Sequence, residues 1–386
     1  MRRFRARLIP RSLAYRIIAG RLFCFPRLFP ETLFLRGNRD ILLGHLIRAR
    51  ERHLSQRDKN RIVRPFEWGT SFITEHANGD DPRELLRQHS RRVLEHSEDF
   101  YALPTPVEDY HLAGQHLTWT SAVETPVPEN NTVRAHFFPA PPRRQGGGDE
   151  RRPAVVILPQ WNAQPESHME LARLLNRFGI SALRLTLPYH EARRPAELER
   201  ADYLVSSNIG RTIQSVRQAV LDARAAVRWL IDHGGYNRIG IMGTSIGSCT
   251  AFLAYAHEEQ IDVGVFNHVS GYFADVVWRG ISTQHVRAGF GDEVTLEELR
   301  EYWLPISPLP FIKRLLKIRP RPMRFIAASN DLTFPVDLSR DVIAETRRAG
   351  LDVDVAWLPC GHYTSGEKPW VYWDGWKMAS FFKKHL

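Results

Sequence analysis

Past residue 150 the apolar positions fall into short solid runs separated by longer stretches of helical period. AVVILP (154–159) is unbroken by polar residues, as a strand buried on both faces must be. SALRLTL (181–187), RIGIM (238–242), IDVGVF (261–266), MRFIAA (323–328) and DVDVAWL (352–358) are further strands. Between them lie helices over 166–178, 208–233, 246–257 and 338–348, and one at the C-terminus. In the longest, Ile209, Ile213, Val216, Val220, Ala223, Val227 and Leu230 step alternately by four and three residues, which is one helix face. Gly234-Gly235 ends it. This alternation predicts an α/β fold: a mostly parallel central sheet with helices on both faces.

Upstream the pattern is different. Residues 1–110 read as a mainly helical, partly irregular extension, with a helix over 82–99 capped by Asp81 and opened by Pro82. Two strands, 115–125 and 131–138, begin the α/β domain of 111–386, and Pro141 to Arg152 reads as a loop. More than fifty residues separate strands 261–266 and 323–328, and the aromatic-rich stretch 272–316 predicts a cap-like insertion. Trp278 and Trp303 are its candidates for facing substrate, whereas Trp370, Trp373 and Trp376 are expected to pack on the sheet.

Charge changes the picture only at one end. The net charge is +10, yet residues 1–60 hold 15 basic and 4 acidic residues, so the body is nearly neutral. No basic body surface is implied, and nucleic acid is not an expected partner. Eight arginines and no acid lie between Met1 and Phe29, and Arg11, Arg16 and Arg21 interrupt the apolar core a secretory signal needs. The segment is expected to be a structural layer. Peripheral contact with anionic membrane through residues 1–60, or organelle targeting, are its alternatives. No run approaches the roughly 20 apolar residues of a spanning helix. Three scattered cysteines, Cys24, Cys249 and Cys360, form no metal or disulfide pattern, so a cytoplasmic location is expected.

The candidate chemistry lies in three segments. Gly243-Thr244-Ser245-Ile246-Gly247 follows a strand and opens a helix, where a nucleophile elbow belongs. A serine hydroxyl needs a base to attack at neutral pH. Asp331 follows strand 323–328 and His362 follows strand 352–358, giving the order Ser, Asp, His with each residue at a strand's C-terminal end. Asp275 is an alternative acid, and Asp337 and Asp341 are weaker ones inside the next helix. His268 and His285 are alternative bases that break the order. An oxyanion hole is expected from the backbone N–H of Ile246 together with that of Trp161 or Gln160, after strand 154–159.

The elbow GTSIG, the acid segment ASNDLTFP and the histidine segment PCGH together resemble the α/β-hydrolase superfamily over residues 150–386, most closely its dienelactone-hydrolase and acyl-esterase branch. Pro188-Tyr189-x-x-x-Arg193-x-Pro195 is similar to a segment of little-characterised abhydrolase-domain proteins. The resemblance implies a serine hydrolase that cleaves a carboxylic ester, small or lipid-like, through an acyl-enzyme, with no metal or other cofactor. An acyltransferase with the same triad, or a non-catalytic binding scaffold, are the alternatives. PQWN stands where many relatives have His-Gly, and Thr244 where lipases often have His. The oligomeric state is not legible.

Overall fold

The computed structural model describes residues 33–74, 81–104, 106–141 and 151–386. The arginine-rich stretch before residue 33 and most of the 141–152 loop lie outside the described residues. The chain divides into two compact units, Met1–His45 and Leu46–Leu386. The larger unit therefore begins well before residue 111, and residues 46–110 belong to the same body as the sheet.

Nine strands form one sheet: β1 (His111–Ala113), β2 (His116–Thr120), β3 (Thr132–Phe138), β4 (Pro153–Leu158), β5 (Ser181–Leu185), β6 (Arg238–Thr244), β7 (Val263–Asn267), β8 (Met323–Ala328) and β9 (Asp354–Leu358). Their order is β1-β2-β3-β5-β4-β6-β7-β8-β9. The first three strands join antiparallel and meet β5 antiparallel, and every later pairing is parallel. The strand expected over 115–125 stops at Thr120. There Asp109 accepts from the Thr120 N–H, and beyond it the Ser121 N–H turns to the Asn131 carbonyl.

AVVILP is buried on both faces, as expected, all six residues of β4 being buried; all five of β7 are buried too, whereas β9, at the sheet edge, leaves Asp354 and Trp357 exposed. Alternation along each strand feeds two cores. Val156 and Leu158 point into the core beneath α5 (Ile209–Asp232) and α6 (Ile246–His257). Val155 and Ile157 point into the opposite core, shared with Leu171 and Leu175 of α4 (Met169–Arg177) and Phe381 and Phe382 of α11 (Trp370–His385).

Residues 46–110 contribute the end of α1 (Leu33–Ser55), α2 (Pro82–Glu95) and α3 (Ser97–Phe100). Asp81 caps α2 by accepting from the Arg83 N–H at 3.1 Å. Leu86 and Tyr101 are fully buried, and the Tyr101 hydroxyl donates to the Pro305 carbonyl at 2.7 Å. The insertion after β7 folds as α7 (Phe273–Arg279), α8 (Gln284–Phe290), α9 (Leu296–Tyr302) and two 3-10 turns, and α10 (Val336–Arg348) follows β8. No helix among the described residues is long and apolar enough to cross a membrane.

The Pro188 to Pro195 segment is a structural plug. Arg193 is completely buried, pairs with Asp222 of α5 at 2.9 Å and donates to the carbonyls of Asn130 and Thr186. Tyr189 sits at φ 61°, its N–H held by the Asn130 side chain at 2.9 Å.

Candidate active site

Ser245 joins β6 to α6 at φ 59° and ψ −124°, a backbone conformation that costs a non-glycine residue of the order of 1–3 kcal/mol. The neighbouring glycines make it attainable. A Cβ on Gly243 would lie 1.9 Å from the Gly247 carbonyl oxygen, and one on Gly247 would lie 2.3 Å from that of Leu158. The Ser245 N–H is anchored to the Asn267 carbonyl of β7 at 2.9 Å. The side chain is thereby thrust off the sheet at the N-terminus of a twelve-residue helix, where negative charge is favoured.

Asp331 and His362 arrive from the ends of β8 and β9. His362 Nε2 lies 3.1 Å from Ser245 Oγ, and its Nδ1 lies 3.1 Å from Oδ2 of Asp331. A carboxylate only accepts, so Nδ1 carries the proton and Nε2 is left to take one from the serine. The other oxygen, Oδ1, accepts from the backbone N–H groups of Thr333 at 2.8 Å and Phe334 at 2.7 Å. Burial would raise the Asp331 carboxyl, but His362 and His268 hold it well below the usual carboxylate range. The Phe334 ring stacks on His362 with centroids 5.3 Å apart.

The loop carrying His362 is fastened from far upstream. Glu51 of α1 is fully buried; its Oε2 accepts from the Tyr363 N–H at 3.0 Å and its Oε1 from the Thr364 N–H at 2.7 Å. Gly361 is needed there, because a Cβ would lie 2.3 Å from the Glu51 carboxyl carbon. Arg61 donates to the Tyr363 hydroxyl at 2.6 Å, and Arg48 to the side chain of Asn330, next to Asp331, at 2.8 Å. Sequence reasoning missed all three. An acid in a basic helix carries no signal of a partner some 300 residues away.

Ser245 stands between two cavities. One, about 1340 Å³, is wide and of mixed character, lined by Arg61, His168, Arg200 and Asp374 but also by Leu171 and Met378, among others. The other, about 50 Å³, is apolar, lined by Val205, Ile246, Phe273, Val276, Val277 and Phe334 among others. Trp161 lines both. Its indole N–H donates to the Ala201 carbonyl at 2.9 Å, and its ring stacks on His285. The backbone N–H groups of Gln160, Trp161 and Ile246 meet no acceptor among the described residues.

The remaining candidates have other places. Trp303 is fully buried, donating to the Ile209 carbonyl at 3.3 Å, because it anchors the insertion to α5. Trp278 stacks on Phe290 and faces a separate depression with Arg287 and Leu296. The insertion does wall the small cavity, but through Phe273, Val276 and Val277. Trp373 and Trp376 are exposed on α11 rather than packed on the sheet; Trp376 contacts Phe178 edge-on. Asp275 is paired with Arg300 at 2.6 Å and Asp337 with Arg279 at 2.7 Å; no contact places Asp341 at the site. Cys249 and Cys360 are buried and free, their thiols pushed up by burial. His268, Asp331 and His362 are the group among the described residues whose ligand atoms, within 4.8 Å of one another, could share a cation. Two N–H to carboxylate bonds already account for that spacing.

No protein-family model matches the sequence, and no curated protein matches it. Solved structures do. The chain is 15% identical to the Pyrococcus horikoshii acylaminoacyl peptidase, with a TM-score of 0.53 over 72% of this chain and 42% of that one. A Mycobacterium tuberculosis puromycin-hydrolyzing peptidase gives 16% and 0.52 over 74% of this chain and 48% of its own. The chain thus spans less than half of either peptidase. Acetyl xylan esterase 1 from Thermoanaerobacterium sp. JW/SL YS485 gives 13% and 0.51, over 78% of this chain and 99% of the esterase. Shared architecture at so low an identity speaks to the fold, and the fold of this chain is that of the α/β-hydrolases.

Proposed function

We propose that the protein is a serine hydrolase that cleaves a carboxylic ester through Ser245, His362 and Asp331. The observation that carries this reading is the continuous relay from Ser245 Oγ to His362 Nε2, and from His362 Nδ1 to Asp331, on a strained elbow. His362 takes the serine proton as Oγ attacks the carbonyl carbon, and Asp331 orients the imidazole and stabilises the imidazolium. The oxyanion is received by the N–H of Ile246 with that of Trp161 or Gln160. Collapse of the tetrahedral intermediate breaks the ester bond, and His362 returns the proton to the leaving alcohol. Water, deprotonated by the same histidine, then releases the acid from Ser245.

The two cavities suggest how an ester would lie. The small apolar one suits a compact acyl group, and the wide one, of mixed lining, a bulky alcohol. The experiment is a fluorophosphonate probe on wild type and Ser245→Ala, followed by p-nitrophenyl esters of increasing acyl length. Labelling confined to wild type, with kcat/KM falling beyond short acyl chains, is expected. Wild-type protein that resists labelling at every pH sinks the catalytic reading, and a preference for long chains sinks the assignment of the small cavity.

A further inference from the structure

Asp331 has one more partner than its role requires. His268 directly follows β7, at φ 57°, and is buried to 1% exposure. Its Nδ1 lies 2.8 Å from Oδ2 of Asp331, the oxygen that His362 reaches at 3.1 Å. The other carboxylate oxygen is filled by two backbone N–H groups, so two imidazoles share Oδ2. The rings lie 4.4 Å apart.

The surroundings of His268 point to its charge. Asp331 and His362 face it from the loops after β8 and β9, Asp374 from α11 and Glu51 from α1. His268 Nε2 has no partner among the described residues, nor have Oδ1 of Asp374 and Oδ1 of its neighbour Asn267, whose amide holds the other Asp374 oxygen at 2.8 Å. The group so placed has three carboxyls and the His362 ring around it. Burial would lower its affinity for a proton, but Asp331 foremost, with Asp374 and Glu51, more than offsets that.

We propose that His268 is a second positioning residue on Asp331: as an imidazolium it holds Oδ2 by a charged hydrogen bond, divides the carboxylate's influence between two rings, and so sets the pH at which His362 becomes a competent base. This rests on the triad reading above. A cation 4.4 Å from His362 opposes protonation of that ring, keeping it a free base to lower pH than Asp331 alone would allow.

The test is the pH dependence of fluorophosphonate labelling of Ser245 in wild type, His268→Asn and His268→Phe. Asn can still donate to Asp331 but carries no charge. The acid limb is expected to move up by about one unit in both variants. An unmoved limb, whatever happens to the plateau rate or to stability, overturns the inference and leaves the triad reading intact. Absence of wild-type labelling overturns both. Should neither variant fold, nitrogen-15 NMR of the wild-type imidazoles decides: both His268 ring nitrogens are expected to stay protonated at a pH where His362 is already neutral, and a His268 that is neutral there overturns the proposal.

Discussion

The elbow and the histidine loop, which meet at Ser245 and His362, are built by opposite means. The elbow is a local construction. Gly243, Ser245 and Gly247 lie within five residues, and the backbone closeness that demands those glycines is set by the turn itself and by the adjacent β4. The histidine loop is held from a distance: its backbone N–H groups end on Glu51, and its tyrosine hydroxyl on Arg61. A local device is robust and easy to see in a sequence. A remote one makes the placement of His362 depend on a segment with no chemistry of its own.

The largest effect should come from the local side. Ser245→Ala removes the attacking oxygen and leaves the sheet, glycines and backbone unchanged. A loss of roughly 10⁴- to 10⁶-fold in kcat is expected, with an unfolding midpoint close to wild type. Turnover within tenfold of wild type would show that the elbow is only a turn.

Next comes the remote side. Glu51→Ala leaves the buried Thr364 N–H and the half-buried Tyr363 N–H without acceptors, the buried one costing about 1–3 kcal/mol and the other less. Denaturant unfolding should show that loss, and kcat should fall by roughly 10- to 100-fold as His362 loses its register, an ångström of misplacement being worth about that much. Glu51→Gln should be milder, since one amide oxygen can still accept. Deletion of residues 1–60 should lose activity too, more than a plain covering layer would explain. If Glu51→Ala is as active and stable as wild type, the loop supports itself and the contrast with the elbow fails.

This contrast also explains what was legible in the sequence. β4, β6, α6 and β8 could be read closely because buried parallel strands and their helices have local signatures. Ser245, Asp331 and His362 followed from motif and strand-end position. Glu51 could not, and neither could the union of residues 46–110 with the sheet. Both rest on contacts such as Tyr101 with Pro305, which join positions 204 residues apart. Trp303 misled for a related reason: a tryptophan in an insertion looks alike whether it faces a cavity or the core.

A third prediction compares the two regions by pH. His89, His168, His190, His257 and His285 are all lowered to about 4, burial being the largest cause. Unfolded histidines titrate near about 6.5, so between those values the unfolded chain binds more protons. Stability should therefore fall as pH drops from about 6.5 towards 4, each histidine contributing about 1.4 kcal/mol per pH unit. Asp374, pushed up to about 6 by burial, works against this, because folded protein takes up its proton first. Urea unfolding at pH 7, 6 and 5 measures the net slope. His168 and His190 line the wide cavity and His89 lies on α2, so glutamine at each shows which region yields first. Stability independent of pH in this window would mean that the histidines are hydrated.

The smallest effect should lie one residue from one of the largest. Arg50 precedes Glu51 on α1 and also reaches the histidine loop, pairing with Glu367 at 2.5 Å. Its side chain, however, is 40% exposed and that of Glu367 36%, so water screens the pair and competes for both ends. Exposed ion pairs contribute about 0.2–1 kcal/mol. The coupling between Arg50 and Glu367, measured by a double-mutant cycle of Arg50→Ala and Glu367→Ala, should be no more than that, shrink further in high salt, and its loss should leave kcat within about twofold of wild type. Neighbouring positions on one helix, both reaching the loop of His362, thus differ by whether the bond is buried and ends on backbone. If that coupling proves as large as the cost of Glu51→Ala, the loop is held by the helix as a whole, and the buried carboxylate loses its special place.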